Sequence, residues 1–124
     1  MPIDWTPLID LTQKHQRFLL TTHVRPDGDG LGSFLALGEA LEGLGKDVQL
    51  VISSKFPPRY HFLDPEQKVI RYDPPGEAHK DREVVIVLDT GTWNQLADFA
   101  DFLREHSGPR LVIDHHMTED DLGA

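Results

Sequence analysis

Val84-Val85-Ile86-Val87-Leu88, followed at once by Asp89, is the stretch that decides the fold. Five successive aliphatic residues without polar alternation leave neither face of a strand suited to water, so the run reads as covered on both sides, as in a parallel sheet. Parallel neighbours need crossover connections, and the flanking pattern supplies them. Upstream, Thr6-Pro7 opens a short helix to about Gln16, with Trp5, Leu8 and Ile9 on one face. Phe18 to Thr22 reads as a buried strand, and His23 to Gly30 as a Gly/Asp/Pro loop. A helix follows with the apolar stripe Leu31, Phe34, Leu35, Leu37, Leu41 and Leu44, with Gly43 and Gly45 as stops. Asp47 to Ile52 is a second strand, Pro57-Pro58 opens a helical turn through Leu63, and Val69-Ile70 is a weak third strand. Residues 73–83 read as polar loop. Downstream of the central run, Leu96, Phe99, Ala100 and Leu103 fall at helical spacing, Gly108-Pro109 ends that helix, and Leu111-Val112-Ile113 is a last strand. The order α-β-α-β-(α)-β-β-α-β predicts the α/β class: a doubly wound, mostly parallel sheet with helices on both faces. The last strand is followed by about ten residues and no covering helix, so the sequence is expected to be the front, truncated portion of a longer domain.

The chain has 124 residues, room for one compact domain, and carries 21 acidic against 12 basic residues, a formal net charge of −9. That balance argues against a broad cationic face for duplex DNA or an anionic membrane. Cysteine is absent, which excludes disulfides, zinc thiolate sites, iron–sulfur clusters and thiol catalysis. It also fits a reducing compartment. No apolar run approaches the roughly 20 residues of a membrane helix. The start Met1-Pro2-Ile3-Asp4-Trp5 lacks the basic and apolar regions of a signal peptide. The expectation is a soluble, cytoplasmic, acidic domain.

Three polar clusters share one structural position. His23, Asp27 and Asp29 follow the first strand, Asp89 follows the central one, and Asp114, His115 and His116 follow the last. In an open parallel sheet the carboxyl ends of the strands open on one edge, where ligands bind. Taken singly, an aspartate after a strand is a turn or cap residue. A lone histidine is a surface or core residue, and His15, His61, His79 and His106 are read that way. Asp64, Asp73, Asp98, Asp101 and Asp120 are read as solvated charges. Three strand ends delivering carboxylates and imidazoles together are another matter. Bare carboxylates in a cleft repel one another, and a pair of divalent cations removes that repulsion. Aspartate and histidine without cysteine suit manganese or magnesium, with cobalt or zinc as substitutes. Two metals sharing one carboxylate would activate a water for in-line attack on phosphorus. Asp89, alone at the end of a rigid central strand, is the natural bridge. The ions would also let an acidic protein hold an anionic substrate.

Two other motifs compete for the first loop. Gly28, Gly30 and Gly32 have the spacing G-x-G-x-G, not the G-x-G-x-x-G of a dinucleotide fingerprint. A calcium loop opening at Asp27 would place Leu31 and Gly38 where oxygen ligands are required. The glycines are better read as turning the chain around metal ligands and starting the helix.

His23-Val24-Arg25-Pro26-Asp27-Gly28-Asp29, then Asp89 after a β-run, then Asp114-His115-His116, resembles the DHH phosphoesterase superfamily. The spelling from Thr22 to Ser33 is most similar to its branch of bifunctional oligoribonucleases and pAp phosphatases, and the likeness runs from about Phe18 to His116. The resemblance implies a Rossmann-like domain binding two manganese ions, with magnesium or cobalt as alternatives. His23 and Asp27 would hold one ion, Asp29 and His115 the other, and Asp89 would bridge them. His116 would contact the substrate phosphate or assist the leaving group, Arg25 would bind substrate, and Asp114 would orient its neighbours without binding metal. The implied reaction is hydrolysis of phosphoesters in short single-stranded RNA, pAp or small dinucleotides by a water activated between two metals. The family has a fourth aspartate ligand further along and a second, smaller substrate-binding domain. Neither is found in these residues, so residues 1–124 are expected to be a partial catalytic domain, weakly active alone. A homodimer is compatible with this reading. The alternatives are an inorganic pyrophosphatase of the same superfamily, a non-catalytic nucleotide-binding or regulatory module and, disfavoured by its glycine spacing, a dinucleotide-dependent oxidoreductase.

Overall fold

The computed structural model describes residues 6–23, 28–74, 76–88, 96 and 98–113, with residues 28 and 29 described at the backbone only. The elements in order are α1 (Thr6–Lys14), β1 (Arg17–Thr22), α2 (Gly28–Gly43), β2 (Asp47–Ile52), a 3-10 turn (Pro58–Leu63), β3 (Val69–Arg71), a second 3-10 turn (Glu77–His79), β4 (Val84–Leu88), α3 (Phe99–Glu105) and β5 (Arg110–Ile113). The five strands form one sheet in the order β3-β2-β1-β4-β5, and every pairing is parallel. From β1 the chain winds outward through β2 to β3, then crosses back to lay β4 and β5 on the other side of β1. The switch point of this doubly wound sheet therefore falls between β1 and β4.

The aliphatic run of β4 behaves as its composition requires: Val84 to Val87 are wholly buried and Leu88 nearly so. Alternate residues feed two cores. Phe18, Leu20, Leu50, Ile52, Val84, Ile86 and Leu88 pack with Leu31, Phe34 and Leu41 of α2. Leu19, Val51, Val85 and Val87 pack on the other face with Tyr72, Phe99, Phe102 and Leu103. Gly38 lets α2 lie close to the sheet, because a Cβ there would stand 2.8 Å from Leu50 Cδ2. The helix stops where the glycines were expected to stop it. Gly45 takes φ +83°, the Gly45 amide donates to Glu42 O at 2.9 Å and that of Lys46 to Leu41 O at 3.1 Å. This is the paired closure of a helix ending in a left-handed residue.

Three expectations need correction. In α1, Thr6 lies inside the helix, and its apolar contacts come from Leu8 and Leu11. Ile9, expected on the packed face, is half exposed. Asp64 is not a solvated charge: its carboxylate accepts the backbone N–H groups of Lys68 at 3.0 Å and Val69 at 2.9 Å, fastening the start of β3. Nor is 73–83 a plain polar loop. His79 and Arg82 are buried there. The Arg82 guanidinium pairs with Asp81 at 2.8 Å and Asp47 at 3.1 Å, while Glu83 accepts the backbone N–H groups of Gln16 at 2.9 Å and Arg17 at 2.8 Å. These charged fastenings all lie where β1, β2 and β4 begin, at the edge opposite the strand ends that carry the polar clusters.

Candidate functional site

The site is built on the carboxyl edge of the sheet. Register places Thr22 opposite Leu88 and Leu88 opposite Ile113. Three strands thus finish on one row, with neighbours roughly 4.8 Å apart. In sequence each of these residues is followed directly by a member of a predicted cluster: His23, Asp89 and Asp114. Of the predicted site residues, His23 is described in full and is half-buried at the first position beyond β1. Asp29 lies in the first turn of α2, which starts at Gly28 rather than at Leu31 as expected. A helix N-terminus carries a partial positive charge that favours anions, and α2 brings one to this edge. Arg25, Asp27, Asp89, Asp114, His115 and His116 lie outside the described residues. Among the described residues no group of three His, Asp or Glu stands close enough to hold a metal ion.

Two hydroxyls that the sequence reading did not single out organise this edge. Thr22, 1% exposed, donates through Oγ1 to the carbonyl of Leu88 at 2.7 Å. The last carbonyl of β4 is thereby tied to β1 across the switch point. Ser53, just past β2, donates through Oγ to Leu96 O at 2.7 Å and accepts the N–H of Phe99 at 3.2 Å. The chain from Leu88 to Leu96 carries Asp89. One hydroxyl holds its first residue and the other its last. A threonine closing a buried strand and a serine opening a loop are common enough that neither stands out in one sequence; register and partner atoms identify them.

A cleft of about 400 Å³ lined by Lys80, Arg82, Glu83, Phe102 and His106 lies at the opposite edge of the sheet. Its Arg82 is already spent on Asp47 and Asp81, so it is not the site that the strand ends define.

An all-parallel sheet whose order reverses between β1 and β4, with helix α2 and a row of strand ends on that edge, defines a doubly wound α/β domain of the class that binds ligands at its switch point. The sequence pattern of the DHH family, N-terminal domain, matches residues 17–124. The chain belongs to the DHH family. It is 33% identical over 105 residues to the bifunctional oligoribonuclease and PAP phosphatase NrnA of Thermus thermophilus, an alignment spanning 84% of this chain and 29% of that protein. In fold it is similar to an exopolyphosphatase-related protein from Bacteroides fragilis, with a TM-score of 0.86 and 23% identity over 94% of this chain and 35% of that one. The chain therefore spans about a third of each of these relatives. Among the described residues no helix is long and apolar enough to cross a membrane.

Proposed function

We propose that this chain carries the metal-holding part of a phosphoesterase that hydrolyses short oligoribonucleotides, pAp or similarly small nucleotides. The observation that carries the reading is the row Thr22, Leu88, Ile113 at the switch point, each residue preceding a carboxylate or imidazole in sequence. The relative's name as an oligoribonuclease and PAP phosphatase supports the substrate class.

The donor set fits divalent cations of the manganese or magnesium kind. His23, Asp27, Asp29, Asp89 and His115 offer oxygen and nitrogen and no sulfur. In this reading His23 and Asp27 would hold one ion, Asp29 and His115 a second, and Asp89 would contribute to both. Bound there, two such ions supply Lewis acidity to water and to the phosphoryl oxygens. The chain's own residues do the rest. Arg25 contacts the substrate phosphate, His116 transfers a proton at the leaving oxygen, and Asp114 accepts from a neighbouring imidazole and fixes its tautomer. Thr22 and Ser53 fix Leu88 and Leu96, the described residues on either side of Asp89 in sequence. Residues 1–124 then form part of the catalytic domain, and a second domain outside them completes the substrate cleft.

The test is hydrolysis of pAp, a short oligoribonucleotide and pyrophosphate with manganese, by the wild-type protein and Asp89→Ala. The reading expects turnover of the first two substrates and its loss, with reduced metal uptake, in the variant. Full activity in Asp89→Ala contradicts it.

A further inference from the structure

We propose that the segment after β2, from Lys55 to Phe62, is a landing surface for single-stranded nucleotide chain extending away from the scissile phosphate. The inference rests on the phosphoesterase reading and adds where substrate beyond the reacting nucleotide lies.

The segment departs from the rest of the chain in charge and composition. The protein has a net charge of −9, yet residues 53–63 contain Lys55 and Arg59 and no acidic residue. Phe56, Tyr60 and Phe62 are three of its ten Phe, Trp and Tyr residues. The following acid, Asp64, turns its carboxylate to the backbone of Lys68 and Val69 at the start of β3.

The segment also stands at the right edge. It leaves the carboxyl end of β2, the strand beside β1, and its 3-10 turn touches α2. Phe56 and Tyr60 are half-buried and pack on the core under α2, which gives the turn a fixed base. Above that base, Lys55, Arg59 and His61 are exposed and Phe62 is 73% exposed. The His61 ring stacks on Phe56, centroids 5.5 Å apart and planes at 28°, and the Arg59 guanidinium lies 5.0 Å from the centre of the Tyr60 ring. Exposed rings interleaved with cations on a rigid turn are what single-stranded nucleic acid uses: bases stack on the rings and phosphates meet the cations.

The test compares pentaadenylate with pAp, which has no nucleotide beyond the reacting one. Phe62→Ala should raise KM for pentaadenylate by roughly five- to a hundredfold, the range of one lost base stack, while KM for pAp and kcat for both stay within about twofold. Lys55→Glu with Arg59→Glu should do the same and flatten the salt dependence of KM. An unchanged melting temperature confirms that each variant folds. Equal effects on both substrates, or none on either, overturn the inference. If the wild type hydrolyses neither substrate, the phosphoesterase reading fails by itself. The landing surface is then judged by fluorescence anisotropy with labelled pentaadenylate: binding weakened fivefold or more by Phe62→Ala supports it, and binding that is absent or indifferent to the variant refutes it.

Discussion

Thr22→Val removes one hydroxyl while keeping a β-branched side chain suited to a strand. The structure gives the loss a size. The Thr22 hydroxyl is buried and donates to Leu88 O at 2.7 Å, and Leu88 itself is 3% exposed. Water cannot easily replace the donor, so the carbonyl is left short of a partner, at a cost of about 1–3 kcal/mol. Unfolding entropy for a chain of this length is roughly 0.26 kcal/mol per kelvin, which converts that cost to a fall of about 4–11 °C in melting temperature. Calorimetry on wild type and Thr22→Val measures it directly. The variant should also take up manganese less tightly, because the strand end before Asp89 loses its tie to β1. A melting temperature within about 1 °C of wild type would refute the claim that this hydroxyl holds the switch point together.

Three further outcomes follow from other contacts. Ser53→Ala leaves both Leu96 O and the Phe99 N–H without the hydroxyl they share; a loss of about 1–2 kcal/mol is expected, with faster hydrogen exchange at the Phe99 amide than in wild type. Glu83, held down to about 2 by the backbone N–H groups of Gln16 and Arg17, binds protons more weakly folded than unfolded. Its stabilisation is therefore full above its ordinary value of 4.5 and fades as pH falls toward about 2; urea midpoints should drop through that window, and Glu83→Gln should flatten the drop. His79 is held below its ordinary 6.5 by burial and by the Arg82 guanidinium, with Asp81 opposing. The unfolded chain takes the proton more readily, so stability should fall as pH drops below about 6.5, and a midpoint equally steep in His79→Gln would contradict that origin.

Much of this fold is legible because the strongest signals are one-dimensional. An unbroken aliphatic run such as Val84 to Leu88 has few ways to hide both faces, and strand β2 and the 3-10 turn to Leu63 lie where hydrophobic pattern and prolines put them. What the pattern missed depends on partners distant in sequence. Asp64 looks like loop charge until the backbone of Lys68 and Val69 folds over it. His79, read as a surface or core histidine, is a core one, with its Nδ1 facing Gln49 Oε1 at 2.6 Å, thirty residues away. The pattern alone places the start of α2 at Leu31, because glycines and aspartates favour loops on their own, whereas the helix begins at Gly28 inside the motif. For the site, sequence order placed each cluster after a strand. Only the pairing register shows that β1, β4 and β5 end on one row; Thr22 and Ser53 required atomic partners to be noticed.

The proposed convergence of His23, Asp27, Asp29, Asp89 and His115 on a dinuclear centre is tested most directly by counting ions. Isothermal titration of the metal-free protein with manganese, repeated on Asp89→Ala, should give two ions per chain for the wild type and weaker, incomplete uptake for the variant. A wild type that takes up no manganese, or a variant that still binds two ions with undiminished affinity, would contradict the account.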